Sequence, residues 1–98
     1  RSNAMNIKTI VIEGIDQDIS IRRTERGAEV TIEQHTRRAG RQDICIAHIT
    51  RDENRESRYA KATEVAKVVY GTDRRGRAAA TNSMVHDVLN EMERVAGC

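Results

Sequence analysis

Residues 18–49 constrain this chain more than any other stretch, because apolar and polar residues alternate there in successive runs punctuated by glycine. In the first run Ile19, Ile21 and Arg23 share one side, and Ser20, Arg22 and Thr24 the other. In the second, Val30 and Ile32 fall on one side, and Glu29, Thr31, Glu33 and His35 on the other. Successive side chains of a strand point to opposite faces, so a period of two rich in β-branched residues predicts strands. Arg26 and Gly27 lie between the runs and suit a two-residue hairpin loop whose second position takes positive φ. That loop pairs Glu25 with Ala28 and Ile21 with Ile32, leaving the apolar residues on a common face.

The next strand is read over residues 43–49, with Ile44, Ile46 and His48 on one side and Cys45, Ala47 and Ile49 on the other. A two-residue Ala39-Gly40 loop would set Ile46 against Glu33, a poor match. A three-residue loop of Arg38, Ala39 and Gly40 sets Ile46 against Ile32 and Ile44 against Gln34. It also puts Gly40 where a three-residue hairpin wants a left-handed residue, so it is the expected connection.

A first strand over residues 6–13 precedes these, apolar on both sides, with Ile10 and Ile12 facing one way and Ile7 and Val11 the other. The sheet side of the core is therefore expected to be Ile10, Ile12, Ile19, Ile21, Val30, Ile32, Ile44 and Ile46. After the last strand, Thr50 and Glu53 have the spacing of a capping box and predict a helix running to Tyr70. Its apolar stripe is Tyr59, Ala62, Val65, Ala66 and Val69, and Gly71 stops it. A second helix starts near Ala78 or Thr81, carries Met84, Val85, Val88, Leu89, Met92 and Val95 on one stripe, and stops at Gly97. Strands first and helices after predict an α+β fold: a four-stranded antiparallel meander followed by two helices packed on one face, in the order ββββαα.

Length sets one domain rather than two. The chain has 98 residues, of which residues 1–4 read as an expression scar ahead of Met5 and 5–98 as a single α+β domain. No apolar run is long enough to span a bilayer and none resembles a secretory leader, so a cytoplasmic location is expected. Cys45 and Cys98 are placed as free thiols, Cys45 as a small buried hydrophobe, not as a disulfide framework. The formal net charge of +2 includes Arg1, so the surface is close to balanced and gives nucleic acid only weak support. The chain has no Phe, Trp or Pro, and Tyr59 and Tyr70 are its aromatic residues. A core without large aromatic rings buries less area per residue, which leaves a domain of this size close to its stability margin.

No catalytic constellation emerges from the letters. In the expected register His48 faces the core near Val30, His35 faces away near Asp43, and His86 is on the second helix, so no zinc-ligand spacing is formed. Ser20, Ser57 and Ser83 lack the strained turn of a nucleophile. Asp16 and Asp18 sit in the first turn, where aspartates commonly bond their own backbone. The expectation is a protein that is not an enzyme and takes no cofactor, metal, small-molecule substrate or membrane.

What remains is interaction. Ile7, Val11, Cys45, Ala47 and Ile49 are left on the second sheet face, along strand edges that have no partner. The leading expectation is a small non-catalytic interaction or regulatory protein that works as a homo-oligomer. Its interface, across a two-fold axis through an edge strand or the second helix, is expected to use Ile7, Val11, Ala47, Ile49, Val88 and Met92. The alternative is a nucleic-acid-binding module that grips phosphates through Arg22, Arg23, Arg26, Arg51, Arg55, Arg74, Arg75 and Arg77. Acidic residues interleave the first five of these, and the sheet lacks the aromatic platforms of single-strand readers.

Overall fold

The computed structural model describes residues 8–98. Strand β1 is Thr9–Ile12, β2 is Ile19–Arg23, β3 is Gly27–Thr36 and β4 is Gly40–Thr50; helix α1 is Arg55–Tyr70 and α2 is Asn82–Ala96. The strands form one antiparallel sheet in chain order, and both helices pack on one of its faces. The ββββαα arrangement is therefore the one the sequence predicts. Asn6 and Ile7, assigned to the first strand, lie outside the described residues.

The inner face carries Ile19, Ile21, Ala28, Val30, Ile32 and Ile49, all buried against Ala62, Val65, Ala66 and Val69 of α1 and Val85, Val88, Leu89, Met92 and Val95 of α2. Ile10, Ile12, Ile44 and Ile46 are partly buried around this core. The eight isoleucine and valine positions expected on the sheet side are thus all in or against the core.

Both hairpin registers differ from expectation. In the first, Ile21 pairs with Val30 and Ile19 with Ile32, so the loop is Glu25-Arg26 and Thr24 N donates to Gly27 O at 2.9 Å. Gly27 belongs to β3, and close approach rather than positive φ requires it there: a Cβ would collide with the Ile49 carbonyl. The shift spans two residues in total, so the shared apolar face survives. In the second hairpin the loop has three residues as expected, but they are Arg37, Arg38 and Ala39, with Thr36 paired to Gly40. Gly40 has φ +69°, the left-handed value its place in the turn demands.

A β-bulge in β4 makes the larger correction. Thr31 pairs with Cys45 but Val30 pairs with Ala47, so Ile46 is the extra residue and Ile32 faces Ile44 instead of Ile46. The bulge reverses which side chains point inward. Below it Ile44 faces the helices; above it Ala47 and Ile49 do, and Ile49 is completely buried. An unbroken strand would have turned Ile49 to solvent and His48 into the core. Burying an isoleucine side chain is worth about 1.5–3 kcal/mol, whereas an unpaired buried imidazole is costly. The bulge resolves both.

The first helix starts later than its apparent capping box. Thr50 ends β4, Arg51 N donates to Arg26 O at 2.9 Å to extend the ladder, and Asn54 is the N-cap, its Oδ1 accepting from Ser57 N at 2.8 Å. Glu53 instead accepts from Lys61 Nζ at 2.8 Å. The second helix begins after Thr81, whose hydroxyl accepts from Met84 N at 3.2 Å, and the helices end before Gly71 and Gly97 as expected. The two helices are tied by Arg58, whose Nε donates to Glu93 Oε2 at 2.8 Å; this bond raises the guanidinium pKa above its ordinary value.

Candidate docking surface

The outer sheet face is built by the same alternation that fills the core. Thr9 and Val11 of β1, Ser20 and Arg22 of β2, Glu29, Thr31, Glu33 and His35 of β3, and Arg41, Asp43, Cys45 and His48 of β4 all point away from the helices. Ser20, Glu29 and Thr31 are half-buried in the middle, and the flanking residues are exposed, Val11 at 61%. Side chains of this face line a groove of about 540 Å³ that reaches from Thr9 of β1 to Arg41, Asp43 and Cys45 of β4.

Charge in the groove is arranged as pairs with a surplus. Arg22 bonds Glu29 directly across the strands, and Arg41 pairs with Glu33. Asp43 has no cationic partner among the described residues, and Asp18, also without one, accepts from Gly14 N at 3.3 Å, the local backbone bond expected of a turn aspartate. Two unmatched carboxylates therefore leave the groove acidic.

Beyond Ile32 and Ile44 the sheet narrows to two strands. β2 ends its pairing with β3 at Ile32, while β3 and β4 continue together to Thr36 and Gly40. Every residue from 33 to 43 is exposed, and no large apolar side chain lies in that stretch. The three-residue turn of this projecting hairpin was legible in the sequence, but the projection of its two strands past the sheet was not, since the apolar runs were read only to His35 and from Asp43. Its only sequence signal is a β-length alternation lacking an apolar face. At its tip are Arg37 and Arg38, unpaired among the described residues.

The expected arginine sites separate into two groups. The β2–β3 hairpin and the end of β4 bring Arg22, Arg23, Arg26, Arg51 and Arg55 to one end of the sheet. Most of these guanidiniums are occupied. Arg22 holds Glu29; Arg51 donates to the carbonyls of Ala96, at 2.9 Å, and Glu25; Arg55 sits 3.5 Å from Glu93 and donates to Asn90 at 3.4 Å. Arg23 lies over Gly97 at the C-terminus of α2, where a cation is favoured. Arg74, Arg75 and Arg77 are at the opposite end, since Asp16 N donates to Val69 O at 3.0 Å and so brings the end of α1 to the β1–β2 turn. There Asp73 organises the loop, accepting from the backbone N–H groups of Arg75 at 2.8 Å and Arg77 at 2.9 Å and pairing with the Arg77 side chain at 3.1 Å. The backbone bond from Arg77, with these other donors, lowers the Asp73 pKa. The loop thus displays Arg74 and Arg75, exposed, on a firm base.

The proposed interface residues fare differently. Val11 is exposed on the open face, and Ile7 lies outside the described residues. Ile49, Val88 and Met92 are buried within one chain, and Ala47 packs against the same core. These four are not available to a partner: the bulge turns Ala47 and Ile49 inward, and Val88 and Met92 of α2 are buried in the core that α2 shares with α1 and the sheet. Cys45 is exposed rather than buried, and His48 stands on the outer face beside Glu29 rather than in the core. His35 and His48 therefore share a face, at separate positions along it. Among the described residues no three His, Cys, Asp or Glu side chains gather as a metal site, and no helix is long and apolar enough to cross a membrane.

Comparison with protein-family models, with curated proteins and with solved structures gives no match to this chain.

Proposed function

We propose that the protein is a non-catalytic interaction protein that works as a two-fold homodimer, docking through its open sheet face and the projecting β3–β4 hairpin. The observation that carries this reading is the exposure of the whole segment 33–43. A lone two-stranded ribbon is at best marginally stable in water, since it has no third strand and no apolar face to pack. A chain that extends such a ribbon past its own sheet gains from a surface that receives it. The β4 edge along it also has free backbone groups, although Lys61 Nζ covers the His48 carbonyl at 2.9 Å nearer the core.

Light scattering across the micromolar range tests the reading, with twice the 11.1 kDa chain mass expected. Replacing residues 33–43 by Asn-Gly should leave a folded monomer, because Ile32 and Ile44 are direct cross-strand neighbours that a tight turn can join. A monomeric full chain at those concentrations refutes it.

Nucleic-acid binding is the second reading, favoured by one observation: Arg37, Arg38, Arg74 and Arg75 are unpaired among the described residues and emerge toward the same end of the sheet. A two-stranded ribbon fits the major groove of DNA. Affinity that falls steeply with salt, and falls further on Arg74→Ala and Arg75→Ala, supports it; absence of binding at low salt excludes it.

A further inference from the structure

We propose that the Arg37–Arg38 tip of each protomer's hairpin seats in the acidic groove on the open sheet face of the second copy, so that the two chains exchange hairpins reciprocally. This inference rests on the homodimer reading above and specifies which surfaces meet.

Charge makes a second copy the fitting occupant. Among the described residues, the groove has two carboxylates without cationic partners, Asp18 and Asp43, and the tip has two guanidiniums without anionic partners, Arg37 and Arg38. Guanidinium forks match carboxylates in shape as well as sign. A nucleic-acid backbone laid on the same face would meet those acids and be repelled.

Dimensions agree. From Ile32 the hairpin extends about five residues to its tip, roughly 16 Å at 3.3 Å per residue. Four strands spaced about 4.8 Å apart span roughly 14 Å. One hairpin therefore crosses its partner's open face from edge to edge. The contact is also isologous, since the surface that gives a hairpin is continuous with the groove that receives one, and it closes at two chains instead of propagating.

Cys45 supplies the test, because it is an exposed thiol lining the groove. In the full chain carrying Cys98→Ser, the substitution Ala39→Cys places a second thiol at the hairpin tip. Within one chain the two are five or six residues apart along a strand, roughly 16–20 Å, beyond the reach of a disulfide. Mild oxidation should give a covalent dimer on a non-reducing gel, and adding Cys45→Ser should abolish it in favour of tip-to-tip products or none. In parallel, Arg37→Glu with Arg38→Glu should weaken dimerisation at least about tenfold. Asp18→Lys with Asp43→Lys should do the same, and combining all four should restore it.

A dimer by light scattering that neither cross-links through Cys45 nor responds to charge reversal overturns the hairpin exchange while leaving the dimer standing. A monomer overturns both. Charge reversal at the tip that leaves the dimer intact and abolishes binding to a DNA duplex also overturns the exchange and assigns the tip to nucleic acid.

Discussion

Replacing Ile49 and Ile46 separately by Ala probes the β4 bulge energetically. Ile49 is fully buried on the inner face above the bulge; Ile46 is the extra residue and only partly buried. Ile→Ala removes three carbons, worth about 2.4 kcal/mol at ~0.8 kcal/mol each when wholly buried, and leaves a cavity whose walls relax incompletely. A cost of about 3 kcal/mol is expected for Ile49→Ala, within the range for core truncations. For Ile46→Ala about 1 kcal/mol is expected, since much of that side chain already meets solvent. With a urea slope of about 1.5 kcal/mol/M, the midpoint shifts are about 2 M and 0.7 M. The assay is urea unfolding followed by far-ultraviolet circular dichroism, because the chain lacks Trp. Both variants belong in the chain whose hairpin is shortened to Asn-Gly, at one protein concentration, because self-association adds stability by mass action. In a strand without the bulge, Ile46 would point inward and Ile49 outward. A cost for Ile46→Ala equal to or above that for Ile49→Ala would therefore refute the bulge and every outer-face assignment that depends on it.

Two further predictions concern the helix start and the loop between the helices. Asn54→Ala should cost about 1 kcal/mol by chemical denaturation through loss of the N-cap bond to Ser57 N, whereas Thr50→Ala should lose no cap; the reverse order would return the helix start to Thr50. The Asp73 carboxyl should titrate below its unfolded value by NMR. Its depressed pKa means the loop is held fully above the unfolded pKa and loosens as pH falls through the folded one, with loss of amide protection at Arg75 and Arg77; a carboxyl titrating at or above the unfolded value contradicts the hydrogen bonds drawn to it.

The sequence was readable where burial imposes a period. Ile19, Ile21, Val30 and Ile32 alternate because their other neighbours face water, and Val85, Val88, Leu89, Met92 and Val95 recur at helical spacing because one stripe meets the sheet. Alternation fixes a face but not a partner, which is why Ile21 could be set against Ile32 instead of Val30 without disturbing any inward residue. The bulge did leave a trace. Ile44 and Ile46 are two apart but Ile46 and Ile49 are three apart, an odd interval that a strand buried on one face cannot hold without an extra residue. That the strands of 33–43 run on past the sheet was illegible for the opposite reason, since a segment with no inward side imposes no period of apolar residues and only its three-residue turn showed. Likewise the late start of α1 follows from Arg51 extending the sheet ladder, a long-range bond that the local Thr50–Glu53 spacing does not register.

A polar ribbon has no preference of its own for one strand alignment over its neighbours, because sliding by a residue exchanges one wet side chain for another. The projecting hairpin escapes that indifference at its root. Ile44, the unpaired Ile46 and the buried Ile49 act there as a key of three unequal teeth, which a slip in either direction would withdraw from its lock. Each step along the exposed strands is thereby anchored to the interior, and the arginines at the far end hold a fixed address although nothing beside them specifies one.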